Sequence, residues 1–116
     1  DNKFDWIIIV DVLHHTDDPL NVLSECLRVC KRMVIIKDHV YRNIFQRALL
    51  IFMDWVGNRG HEVRLPYNYL KREEWRSIFS ELNATENAWK EDLKLYPQPL
   101  DLVFGRGLHF VTVLKK

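Results

Sequence analysis

Five consecutive apolar residues, Trp6 to Val10, stand between Asp5 and Asp11, and four of the five are β-branched. A run this short shows neither alternation nor a helical period, so it is expected to form a strand buried on both faces. Its apolar character ends abruptly. Asp11, His14 and His15 follow, and then Asp17, Asp18 and Pro19. Open parallel sheets build ligand sites from polar residues at the carboxyl ends of buried strands, and a carboxylate with two imidazoles suits that use. A strand followed by an ordinary polar loop is the competing reading of the same residues.

Asp18 suits a helix N-cap and Pro19 the first helical position. Leu20, Leu23, Leu27 and Cys30 then recur at helical spacing, which predicts an amphipathic helix closing on Arg28, Lys31 and Arg32. Met33 to Ile36 is a second continuous apolar run, again followed at once by polar groups, Lys37, Asp38 and His39. Strand, helix and strand over this distance make a βαβ unit, with parallel strands and a right-handed crossover. Asp11, His14 and His15 are therefore expected on the same sheet edge as Asp38 and His39.

Further on, Ile44, Phe45, Ala48, Leu49, Phe52, Trp55 and Val56 form a wide apolar stripe on a second helix. Gly57 to Gly60 ends it, and the stripe is expected to be core. The stretch from His61 to Tyr69 reads as an irregular polar and aromatic loop of the kind that often carries function. Trp75, Ile78, Phe79 and Leu82 mark one face of a third helix. Trp89, Leu93 and Leu95 alternate with charges, as in a half-exposed strand, until Pro97 and Pro99 break it. Leu108 to Leu114 is a final strand, reached through a long connection that holds Gly105 and Gly107.

The chain has 116 residues, enough for one domain with a modest core. A formal net charge of +1, with basic residues scattered among acidic ones, offers no footprint for nucleic acid. The longest apolar stretch, Ala48 to Met53, is far too short to span a membrane, and the first residues do not have the form of a signal peptide. A cytoplasmic location is the default expectation. Cys26 and Cys30 sit four apart in the predicted helix, a spacing that does not present disulfide geometry. No further Cys or His pair stands at zinc spacing, so both cysteines are read as small buried apolar groups of a reducing compartment.

Phe4 to His15, Pro19, Leu23, Glu25, Arg28-Val29 and Val34 to Asp38 together resemble the second half of class I S-adenosylmethionine-dependent methyltransferases, in particular the small-molecule group called type 11. The helix with Glu73-Glu74-Trp75 and the strand opened by His109-Phe110 continue the likeness to nearly the whole chain. The resemblance implies an α/β fold: two parallel strands, an antiparallel C-terminal strand pair, and flanking helices of a Rossmann-like sheet. The final strand is then expected beside the Met33–Asp38 strand, with the Trp89–Tyr96 strand outermost. Cys30 to Met33 lacks the glycine pair usual before the second of these strands. None of the glycines (57, 60, 105 and 107) sits between a buried strand and a helix, where the family places its glycine-rich cofactor loop. Residues 1–116 are thus expected to be a partial methyltransferase domain that lacks the glycine-rich half of the cofactor site. The alternative is a non-catalytic subunit or binding module that completes a partner's sheet.

By the same resemblance the cofactor is S-adenosylmethionine, touched by Asp11, Val12, Leu13 and His14, largely through backbone. His15 and His39 are the candidate bases, with His14 a further one, since an ordinary imidazole titrates near neutrality. Each histidine could equally cap or tether a loop. Tyr41, Trp55, Tyr67 and Tyr69 are candidate substrate-lid residues for a small-molecule acceptor. A metal site built from Asp11, His14, His15, Asp38 and His39 is a rival reading. Adjacent histidines on an unfixed loop are weak evidence of ligand geometry, and no metal is assigned. The Ile7–Val10 strand is too apolar for an open sheet edge, so the missing half or self-association is expected to cover it.

Overall fold

The computed structural model describes residues 1–62, 65–105 and 107–116. Four strands form one sheet: β1 (Phe4–Val10), β2 (Cys30–His39), β3 (Thr85–Lys90) and β4 (His109–Lys115), in the order β1-β2-β4-β3. β1 and β2 are parallel, and β4 lies antiparallel to both β2 and β3. The arrangement is the one expected. Among the described residues four α-helices accompany the sheet, α1 (Pro19–Val29), α2 (Ile44–Asn58), α3 (Arg72–Glu81) and the short α4 (Leu100–Phe104). Among the described residues no helix is long and apolar enough to cross a membrane.

The βαβ unit forms for local reasons visible in the chain. Asp18 caps α1 by accepting from the Asn21 backbone N–H at 3.0 Å, with Pro19 in the first turn. Leu23 and Leu27 turn inward and pack with Ile9, Val34 and Ile36 of the two strands. Trp75 and Phe79 of α3 join this cluster from the same side, together with Phe110 and Leu114. The Trp75 indole N–H also donates to the His39 carbonyl, which fastens α3 to the end of β2.

Four expectations need correction. α1 stops at Val29, and Cys30 is the first residue of β2. Without a glycine pair the helix passes straight into extended backbone, and the pairing absorbs the extra length as an irregularity between Phe4 and Trp6. Both cysteines are free, as expected. Next, β1 is buried on one face only. Ile9 is 7% exposed but Ile8 is 65% exposed, and Phe4, Trp6 and Val10 share its side. α1 and α3 both cover the opposite face, and among the described residues β1 pairs with β2 alone.

The α2 stripe is the third correction. Leu50 is buried at 1%, whereas Phe45 is 82% exposed and Ile44, Phe52, Trp55 and Val56 are exposed as well. α2 crosses the carboxyl edge of the sheet instead of lying on it. One side of it meets Tyr69 and Leu108, with Tyr41, Leu49, Ile51, Met53 and Tyr67 around them, and the other side is left open. The outer strand is also shifted. β3 spans Thr85–Lys90, so Leu93 and Leu95 lie beyond it in irregular chain. Trp89 sets the strand by stacking on Phe110 at 4.2 Å between ring centroids. Within the loop between α2 and α3, Val63 and Arg64 lie outside the described residues.

Candidate functional site

The carboxyl ends of β1 and β2 meet at Asp38. This fully buried carboxylate accepts from the Leu13 backbone N–H at 3.0 Å, from the His39 backbone N–H at 2.7 Å and from the His14 ring Nδ1 at 2.6 Å. Those bonds fix the segment after β1 as a single 3-10 turn over Leu13–His15. Asp11 makes the turn possible by taking a left-handed φ of 52°, which aspartate tolerates better than bulky residues do. Its own N–H ends the ladder on the Lys37 carbonyl at 2.8 Å. The adjacent histidines therefore sit on rigid backbone.

α2 supplies the facing wall. Asp54 lies one turn after the buried Leu50, on the helix side that meets the sheet edge. Its Oδ2 accepts from the Tyr69 hydroxyl at 2.5 Å and its Oδ1 from the Asn58 amide at 3.0 Å. The same Oδ1 stands 3.7 Å from His14 Nε2 and 3.9 Å from His15 Nε2. Ring centroids of His14 and His15 are 4.1 Å apart, and those of His14 and His39 4.5 Å apart. His39 in turn lies 4.6 Å from His109, so four of the five histidines form one chain of rings.

Opposite this wall Lys37 donates to both oxygens of Asp11, at 2.7 and 2.8 Å, and approaches His109 Nδ1 at 3.4 Å. Tyr96 reaches the other nitrogen of His109 at 3.5 Å. Together these groups line a polar cavity of about 400 Å³ along with Met53, Gly57 and Asn58. A larger hollow of about 600 Å³ around Arg42, Glu91 and Asp101 shares no lining residue with it. Converging imidazoles and carboxylates mark the smaller one as the candidate site.

Electrostatics divide the histidines. Burial lowers the pKa of His14, but the hydrogen bond to Asp38 and the charges of Asp38, Asp54 and Asp11 outweigh it and leave the value raised. His39 is pushed down to about 2 by burial, with the positive charges of His14, His109 and Lys37 adding to the effect. Burial and Lys37 lower His109 to about 4. Burial and the hydrogen bond to Asp54 raise the Tyr69 phenol. The surroundings of His14 thus favour its charged form, whereas those of His39 and His109 favour the neutral ring.

Asp11, His14, His15 and His39 come together at one edge, as the topology required. Leu13 is buried there, and Val12 is half exposed beside it. Of the aromatic candidates, Tyr69 enters the cluster, its ring 5.6 Å from that of His14. Tyr41 and Tyr67 pack in the small core under α2. Trp55 faces outward beneath Arg59 and does not line the cavity. Asp54, Tyr96, Lys37 and His109 belong to the site but were not among the residues singled out for it. Asp54 was detectable as a lone carboxylate one turn from Leu50 in an apolar helix, and His109 as the polar residue opening the last apolar run.

Residues 1–36, which carry β1, α1 and most of β2, match the family model described as a methyltransferase domain. The chain is similar in fold to solved methyltransferase structures. Its fold over full length is theirs. A Bacillus halodurans protein designated a methyltransferase superposes with a TM-score of 0.64 at 15% identity, over 100% of this chain and 65% of that one. A chain of the Haloferax volcanii complex between the Trm112 methyltransferase activator and a protein designated a methyltransferase gives 0.66 at 13%, over 99% and 54%. An arsenic(III) S-adenosylmethionine methyltransferase from Chlamydomonas reinhardtii gives 0.53 at 17%, over 98% and 37%. The chain therefore spans about two thirds or less of the length of these structures. No curated protein matches it by sequence.

Proposed function

We propose that the protein carrying this chain is an S-adenosylmethionine-dependent methyltransferase acting on a small-molecule acceptor. The observation that supports this most is the gathering of Asp11–His15 and Lys37–His39 on one carboxyl edge, around a cavity, in a methyltransferase fold. The residues suit one wall of such a cofactor site. Asp54 presents a carboxylate to the cavity, an appropriate neighbour for a cationic sulfonium or ammonium. The glycine-rich wall has no counterpart in the sequence, so this chain supplies half of the site.

When bound, the cofactor supplies an electrophilic methyl group, and the protein's task is alignment and exclusion of water. The Asp38 bonds hold the Leu13–His15 turn in register with β2, so the backbone presented to the cofactor is preorganised. A hydroxyl or amine acceptor must lose a proton, and a ring near its working pH serves best. His39, held at about 2, is a weak proton acceptor. His15 lines the cavity and is 24% exposed, and it is the favoured base.

Calorimetric titration with S-adenosylmethionine tests the reading. Saturable one-to-one binding is expected for the protein at its natural length. The isolated 116-residue chain is expected to bind negligibly and to self-associate through β1. Absence of binding at natural length overturns the proposal, and tight binding by a monomeric 116-residue chain overturns the half-site assignment.

A further inference from the structure

We propose that His14, His15 and Asp54 form a binding site for a divalent first-row transition-metal ion. One donor atom from each residue lies within 4.8 Å of the others. Asp54 Oδ1 stands 3.7 Å from His14 Nε2 and 3.9 Å from His15 Nε2, too far for hydrogen bonds. Donors about 2.0–2.2 Å from a shared tetrahedral ion are about 3.4 Å apart, so closures of a few tenths of an ångström bring Asp54 into ligand spacing with each ring.

The surroundings already have the form of a second coordination shell. Asp38 can only accept, so the 2.6 Å contact places the proton on His14 Nδ1. Nε2, turned toward Asp54, is then the nitrogen that would exchange its proton for a metal ion, in the carboxylate–histidine arrangement that orients metal-ligating imidazoles. Tyr69 and Asn58 hold the two oxygens of Asp54. His15 has no ring hydrogen bond to break: its buried Nδ1 lacks a partner among the described residues, and its Nε2 faces Asp54. Two imidazoles and one carboxylate suit zinc or ferrous iron, and the cavity supplies the remaining coordination positions.

A second triad, Asp11, His14 and His39, shares one ring with the first. It is the poorer site, because Lys37 sits on both oxygens of Asp11 and its charge opposes a cation. Ligation would use the ring that methyl transfer needs as a base, so the two uses exclude each other at His15. The test below therefore contains neither cofactor nor acceptor, and it stands or falls independently of the methyl-transfer reading.

Chelator-treated protein at natural length is titrated with Co²⁺ and followed by visible absorption, then back-titrated with Zn²⁺ in a calorimeter. One ion per chain is expected, with ligand-field bands and no thiolate charge-transfer band. His15→Ala and Asp54→Asn are expected to weaken binding by more than the roughly 10–100-fold that second-shell changes cost. Tyr69→Phe is expected to fall within that range. His61→Ala should leave the affinity unchanged. If Asp54→Asn unfolds, His15→Ala decides alone, because its partly exposed ring can be removed without opening the core. No saturable binding, binding that survives His15→Ala, loss on His61→Ala instead, or a thiolate band would each overturn the site.

Discussion

The two faces of the sheet are built from similar residues and have opposite fates. On one, Ile9, Val34, Ile36, Phe110 and Leu114 lie beneath α1 and α3 and form the core. On the other, Trp6 pairs with Met33, Ile8 with Ile35, and Ile35 with Val113, yet among the described residues no helix covers the β1 end of that face. Hydrophobicity alone does not make a core. A layer must arrive to remove the surface from water, and both long helices packed on the sheet arrive on the same side.

Substitution of Trp75 sharpens the contrast most. Trp75→Ala empties the centre of the covered face and is expected to cost about 3–5 kcal/mol, measured by urea unfolding. Asp38, at the edge of that face, comes next. Asp38→Ala strands the Leu13 and His39 N–H groups and the His14 ring, for at least about 3 kcal/mol at about 1–3 kcal/mol per unsatisfied group. An Asp38→Ala protein as stable as the parent in the same assay would show that the turn is held by something else.

Acidification probes the corner where the open face does close, over Lys37, His39 and His109. His109 has its folded value near 4, below the ordinary 6.5, so the unfolded chain binds more protons between those pH values. Its stabilising contribution is complete above about pH 6.5 and is lost as the pH falls toward 4, on the order of 3 kcal/mol. His39 extends the loss to lower pH. His14 has the opposite sign, with a raised folded value: its contribution is full below about pH 6.5 and fades as the pH rises through that value. It therefore leaves the acid slope intact. Thermal unfolding from pH 7 to 4 should show His109→Gln shallower than the parent. Parallel curves would refute the assignment.

The smallest expected effect lies on the open face. Ile8→Ser should change stability by no more than about 0.5 kcal/mol, as for an exposed site, while reducing self-association in sedimentation. A large destabilisation would mean that this face is covered in the working protein.

The parts legible in the sequence were those specified by local chemistry. Asp18-Pro19 and two unbroken apolar runs dictated the βαβ unit, and parallel pairing then placed His14, His15 and His39 on one edge. What the runs could not show was which layers cover them, since an apolar residue reads alike on either side of a sheet. The same ambiguity misplaced the α2 stripe, which pointed to the interior, and left its one carboxylate, Asp54, without a reading. Leu93 and Leu95 alternated like a strand, yet the Trp89–Phe110 stack fixed the strand two turns of pleat earlier. α4 was concealed between prolines and glycine, where short helices leave little pattern.

Asp54 reaches the site on α2, whereas His14 reaches it through Asp38 and the sheet, and these two supports differ in how long they stay in place. α2 buries only Leu50 fully, so it belongs to the part of the molecule whose local opening needs the least free energy. The Asp38 bonds open only when the strand ends do. In hydrogen exchange the α2 amides should therefore lose protection well before those of β2. The distance between His14 and Asp54 then becomes a clock for the site: one jaw is fixed on the timescale of global unfolding, and the other opens and closes many times within it.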